Sequence, residues 1–235
     1  MPTPINLAID DPRLLLGIVE IENGRVHASS GELQAACQVL ASQVCAADFA
    51  LDEAQRSSVR RLLKLAGFSA TGRNKPAHEF LLADVRERGS FNLINNCVDV
   101  NNYISLKHAL PISILDTAGL AGRLTVRIGA EDEAYVFNSA GHAIALKKSI
   151  VLCSGAGDGK PTGGPVKDSM ATKIFEAATG FLAVIYASTD GWTRAEITSV
   201  CEEMATLLAR ETGGEIVQSR VLPAEDPGVP PKAGL

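Results

Sequence analysis

The side chains best suited to chemistry fall in two polar stretches far apart in the chain. The first, "FNLINNCVDVNNYISLKHALPISILD" over residues 91–116, carries asparagines at 92, 95, 96, 101 and 102. Asparagine favours neither helix nor strand interiors, so this density serves one of two purposes. The amides form caps and turns, or they hydrogen-bond a polar ligand as donor and acceptor together. The second stretch, "GGPVKDSMATKIFEAATG", sets Lys167, Asp168, Ser169 and Thr172 between a glycine-rich loop and an apolar run. Asp168 or Ser169 can cap a helix over "MATKIFEAA" with Lys167 solvated. The rival reading brings a lysine, a carboxylate and backbone N–H groups to one substrate.

Other chemistries lack their spacing. "GAGDGKPTGG" has a lysine after glycines, but Pro161 follows Lys160 where a phosphate loop needs Ser or Thr, and its glycines open no helix. No G-x-S-x-G elbow is present. The five cysteines (37, 45, 97, 153 and 201) form no CxxC pair, and the histidines (27, 78, 108 and 142) show no ligand spacing. These counts predict neither metal nor cofactor, and each cysteine reads as a small buried hydrophobe in a reducing cytoplasm.

The 235 residues are 46% apolar and 21% charged, ample for a core. No apolar run approaches the roughly 20 residues of a membrane span, and the first residues lack a signal-peptide pattern. The net charge of −5 argues against a broad nucleic-acid-binding surface, and DNA is not an expected partner. Charge is uneven, however: residues 51–110 hold nine Lys/Arg against six Asp/Glu, and 141–175 hold five lysines against two aspartates. Arg60, Arg61, Arg73 and Lys75 in the first of these are either a phosphate-facing rim or solvated faces.

The elements that must position these groups are legible from periodicity and punctuation. "LLLGIVEIENGRVHAS" reads as a β-hairpin about Asn23-Gly24. Helices are predicted over "GELQAACQVLASQVCAA", over "LDEAQRSSVRRLLKLAGF" with Asp52 as cap and Gly67 as stop, and over "AHEFLLADVRERGS". "RLTVRIGA", "EAYVFNSAG" and "AIALKKSIVLCSGAG" read as three successive strands, "GDGKPTGGP" as a loop, and "GFLAVIYAST" as a buried central strand. "TRAEITSVCEEMATLLARETGG" has the capping-box pair Thr193 and Glu196, and "EIVQSRVL" closes as a strand. The expected fold class is α+β, a mixed or antiparallel sheet flanked by helices, as one domain over 1–222 with a frayed tail over 223–235.

"NNCVDVNNYISLKHALPISILD" resembles the signature of the B3/4 domain, the editing module in the β subunit of bacterial phenylalanyl-tRNA synthetase. That signature runs VVD-x-TNY, an apolar helix, a proline turn and a closing FD. Here Val98-Asp99-Val100-Asn101-Asn102-Tyr103, Pro111 and Asp116 match it. "GGPVKDSMATKI" and "ATGFLAVIYAS" are similar too, and free-standing B3/4 proteins are more similar still, over roughly residues 55–212. The resemblance implies a deacylase that hydrolyses the ester joining a wrong amino acid to tRNA. Asn102 falls at a pocket-lining asparagine, Asn101 replaces a threonine, Ser113 replaces a histidine, and Ile185 stands where a glutamate would recognise a phenolic hydroxyl.

On that resemblance Asn95 and Asn96 hold turns, while Asn101 and Asn102 start a helix and enter a pocket. Asn102, Ser113, Lys167, Asp168 and Ser169 would fix the ester and a water. N–H groups of Gly163, Gly164 or Val166 would face the oxyanion, and Arg60, Arg61, Arg73 and Lys75 would meet tRNA phosphate. One branch of free-standing B3/4 proteins removes canavanine from arginine tRNA, and Asp168 or Glu79 would suit its guanidine-like group. A non-catalytic tRNA- or amino-acid-binding module is the alternative.

Overall fold

Two strands run at the centre of the molecule and are apolar on both faces because both faces are covered. They are β2 (Leu14–Glu22) and β9 (Phe181–Ser188). Leu15, Val19 and Ile21 of β2 point into a core shared with helices, while Leu14, Leu16 and Ile18 point into a second core. The computed structural model describes residues 1–65, 67–69 and 72–223. All of the expected tail except Pro223 lies outside them.

In chain order the elements are β1 (Ile5–Leu7), β2, α1 (Gly31–Val44), α2 (Glu53–Leu63), α3 (Ala77–Arg88), α4 (Asn96–Lys107) and β3 (Ile112–Asp116). They continue with β4 (Leu124–Ile128), β5 (Ala134–Val136), β6 (Ala143–Ala145), β7 (Ile150–Ser154), β8 (Lys160–Gly163), β9, α5 (Arg194–Thr212) and β10 (Glu215–Leu222). One antiparallel sheet has the order β10-β2-β9-β3. The other, β1-β4-β7-β8, is mixed, since β1 pairs with β4 in parallel. Helices α1, α3, α4 and α5 cover one face of the first sheet, and the second sheet supplies Leu124, Val126, Ile150 and Leu152 to the core on its other face. The β5–β6 ribbon pairs with neither. This is the α+β class expected.

Helix ends follow their caps. Asp52 accepts from Gln55 N–H at 2.9 Å, Thr193 and Glu196 close a capping box, and Gly89 and Gly213 terminate α3 and α5 at φ 71° and 67°. Three local expectations are corrected. The hairpin about Asn23-Gly24 has no second arm, because β9 and β10 already occupy both edges of β2. "AIALKKSIVLCSGAG" divides into β6 and β7 at Lys148, whose φ is 62°. The loop "GDGKPTGGP" contributes β8.

Two further corrections concern single residues. Asn101 and Asn102 do not start α4; Asn95 caps it, accepting from Val98 N–H at 2.9 Å. Cys45 is exposed, unlike the other four thiols. Burial pushes the thiols of Cys37 and Cys201 up to about 12 and that of Cys153 to about 11.

Candidate functional site

Residues three or four apart share one side of a helix, and on α4 that side carries Asn95, Val98, Asn101 and Asn102. They form one wall of a cleft of about 800 Å³. Ile112 and Ile114 of β3 form its base, and Lys167, Asp168, Lys173 and Phe175 stand on the chain between β8 and β9. Residues 26–28 and the tip of the β5–β6 ribbon complete it. The amides of the middle of the chain and the lysine–aspartate pair downstream therefore meet at a single cavity.

Asn96 explains how this wall holds its shape. Its Oδ1 accepts from His27 N–H (3.1 Å) and Cys97 N–H (3.0 Å), and its Nδ2 donates to Arg25 O (3.0 Å) and Glu211 O (2.7 Å). One buried amide thus ties segment 25–28 to α4 and to the end of α5. Asp99 is also structural: it accepts from Ser29 Oγ at 2.6 Å and Ile94 N–H at 2.8 Å. Of the five asparagines in this stretch, Asn92 is exposed, Asn95 caps α4 at the cavity edge, Asn96 braces, and Asn101 and Asn102 line the cavity.

Asn101 is buried, donates from Nδ2 to Asn102 Oδ1 at 3.4 Å, and leaves its own Oδ1 without a partner. A buried acceptor in that state costs roughly 1–3 kcal/mol unless a ligand supplies a donor. Asp168 is half-buried and accepts from Gly164 N–H at 3.2 Å. Burial raises its carboxyl to about 6; hydrogen bonds from Ser113 and Gly164 N–H and the charge of Lys173 pull the other way without prevailing. Lys167 is held with Nζ 3.7 Å from the centre of the Phe137 ring and 5.5 Å from that of Phe80. Its carbonyl accepts from the Tyr135 hydroxyl at 2.5 Å, which ties the ribbon to the cleft.

Several sequence-derived assignments are not brought here. Ser113 faces away from the cleft, because its neighbours Ile112 and Ile114 take the cleft side of β3. It is fully buried, and its one hydroxyl proton is shared between Gly164 O, at 3.1 Å, and the Asp168 carboxylate, with the Tyr186 hydroxyl at 3.4 Å. The Gly164 N–H serves Asp168 rather than an oxyanion. Gly163 is where it is because a Cβ there would sit 2.8 Å from Asp168 Oδ1 and 3.0 Å from Leu115. Val166 packs with Leu63 and Phe68. Ser169 caps the short helix over 170–172, accepting from Ala171 N–H at 3.2 Å, so the longer helix over "MATKIFEAA" does not form. Ile185 belongs to the helix-side core.

Glu79 also lies outside the cleft. Arg60 holds it through Nε at 2.7 Å and a second nitrogen at 2.5 Å, with Arg56 at 4.0 Å. Burial pushes the Glu79 carboxyl up, but the Arg60 hydrogen bonds and charge outweigh it and hold the group low. Arg61 pairs with Asp190 at 3.3 Å. Lys75 is exposed, and the side chain of Arg73 lies outside the described residues. Arg60 and Arg61 thus neutralise carboxylates of the same chain.

Sequence reasoning missed segment 25–28, the ribbon tip with Phe137 and Asn138, and the rim residues Lys173 and Phe175. His27 is an imidazole at the cleft, yet both ring nitrogens are engaged, Nδ1 with Ala28 O at 2.7 Å and Nε2 with Asn96 Nδ2 at 3.3 Å. No cluster of three or more potential metal ligands occurs among the described residues. No helix among them is long and apolar enough to cross a membrane.

The B3/4 domain profile matches residues 66–202, more than half of the chain and all of the α4–β9 frame that carries the cleft. The chain belongs to the B3/4 domain family. This B3/4 protein is also similar to an N-terminal fragment of the phenylalanyl-tRNA synthetase beta-subunit from Pyrococcus horikoshii, with 12% identity and a TM-score of 0.48. That match covers 92% of this chain and 50% of the fragment, so the chain spans half the length of its relative. No curated protein sequence matches it.

Proposed function

We propose that this B3/4 protein is a trans-acting editing enzyme that hydrolyses the ester of a mischarged aminoacyl-tRNA. The observation that carries the reading is the meeting of Asn101, Asn102, Lys167 and Asp168 at one cleft within the B3/4 frame. An aminoacyl ester is already activated, so its hydrolysis needs a held water and a base more than a covalent nucleophile. With its carboxyl near 6, Asp168 is ionised at pH 7 yet more basic than an ordinary aspartate, which suits proton removal from water. Asn102 Nδ2 has no protein partner among the described residues and faces the ester oxygen in this scheme. Asn101 Oδ1 takes a donor from the aminoacyl group. Ser113 acts through Asp168 as a positioning residue rather than on the ester.

The leading substrate is canavanyl-tRNA for arginine. A guanidine-like side chain offers paired donors to a carboxylate, and with Asp168 serving as base Glu176 is the cleft carboxylate left to take it. Glu79, committed to Arg60, is withdrawn from that role. The engaged Gly164 N–H favours one other reading, a binding module that holds charged tRNA without turnover. A panel of mischarged tRNAs incubated with the protein separates the two. Release of amino acid, fastest from canavanyl-tRNA, is expected. Saturable binding without release identifies the module, and release from other tRNAs alone removes canavanine.

A further inference from the structure

We propose that Phe175 and Lys173 form the docking point for the terminal nucleotide of the aminoacylated strand, the ring stacking on its base and the ammonium meeting its phosphate. The proposal rests on the editing reading and names the part of the substrate that the rim takes. Phe175 lines the cleft with 59% of its surface exposed. Its backbone is nevertheless fixed. Ile174 on one side and Ala178 on the other are buried in the core, and Phe175 O accepts from Ala178 N–H at 3.0 Å. The ring is thus displayed by an anchored turn. The contrast with Phe137 is direct: that ring carries Lys167 at 3.7 Å and stacks with His142 at 6.3 Å, so its faces are taken. Phe175 has no ring or cation partner among the described residues.

An isolated exposed apolar side chain needs no explanation. Here three further observations point to a ligand. Ile94, 61% exposed, lines the same cleft, so the rim holds a second water-facing apolar surface. Asn101 leaves a buried acceptor unpaired inside the cleft. Lys173 lines it too, and no carboxylate lies within ion-pair distance of it among the described residues, although its charge reaches Asp168. Arg60 and Arg61, by comparison, are already paired. A planar ring beside an uncommitted ammonium is the combination that holds single-stranded nucleotides, by stacking and phosphate attraction and without reading sequence. Glu176, the acidic group on the rim, repels phosphate and confines it to the Lys173 side.

The test uses the full chain and two uncharged acceptor-stem minihelices. One ends in 2-aminopurine riboside in place of the terminal adenosine; the other lacks that nucleotide. The wild type is expected to bind the first about tenfold more tightly and to quench its fluorescence. Phe175→Ala removes the increment and the quenching, Phe175→Trp restores both, and Lys173→Gln lowers the salt dependence by about one phosphate contact. Phe175 is solvent-facing, so an unchanged melting curve is expected for each variant. Equal wild-type affinity for the two minihelices, or an increment that survives Phe175→Ala, overturns the proposal. The two readings fail separately. A Phe175-dependent increment without turnover of any mischarged tRNA removes the editing reading and keeps the docking point. Turnover with no such increment does the reverse.

Discussion

The α2–α3 surface and the cleft beside α4 contain the same kinds of group in opposite states of completion. On α2, Arg60 grips Glu79 with two hydrogen bonds and Arg61 reaches Asp190. In the cleft, Asn101 keeps an unpaired acceptor, the Asp168 carboxyl is raised by burial, and Phe175 faces water. Charge pairs that close on themselves hold a structure together and leave little for a partner. Groups held short of satisfaction reduce stability and are explained by something that completes them. Local charge density, the feature visible in sequence, marks both surfaces equally and does not tell them apart.

Four substitutions sharpen or break this contrast. Asp168→Asn is expected to have the largest effect, a fall in deacylation of about 100-fold or more, and to abolish the rise in rate as pH passes about 6. The same change should raise the melting temperature. A carboxyl whose folded value lies above its unfolded 3.8 makes ionisation unfavourable to folding, so stability declines as pH rises from 3.8 through about 6. The deficit at pH 7 is on the order of 3 kcal/mol. A variant that loses activity and stability together would show that Asp168 is structural.

Gly163→Ala comes next, because the added methyl meets Asp168 Oδ1 at 2.8 Å. It should lower stability by about 1–3 kcal/mol and impair deacylation, readable by urea unfolding and initial rates. Glu79→Gln should reduce stability by about 1 kcal/mol, discounted because Arg60 is partly solvated, with turnover and substrate preference intact. A change in the preferred amino acid would return Glu79 to the site. Arg61→Ala should be the mildest, within about 0.5 kcal/mol in stability and without effect on tRNA affinity or its salt slope. A smaller salt slope would restore α2 as a phosphate-binding face.

Much of the frame was legible because its signals are local. The capping box at Thr193, the αL glycines at 89 and 213, and the continuous apolar run of β9 need no tertiary partner to be read. The hairpin at Asn23-Gly24 was not, since its competitor, the pairing of β2 with β9 and β10, is formed by residues more than 150 positions away. The site divides the same way. Asn102 was reached by resemblance to a motif and Asp168 from the residue types of its polar stretch, and their meeting depends on the sheet that joins them. Ser113 was misplaced because a match in sequence does not say which side of β3 a residue takes. Phe175 carries no motif, and Lys173, although inside the similar stretch "GGPVKDSMATKI", was given no role there; their shared cavity singles them out.

The thiols offer a practical consequence. Four are sealed in the interior, while Cys45 alone meets solvent at the end of α1 and does not line the cavity. A maleimide dye or spin label applied to the native, unmutated chain should therefore attach at one known position. That gives a ready-made reporter for testing the proposed encounter with RNA, and no engineered cysteine is needed to place it.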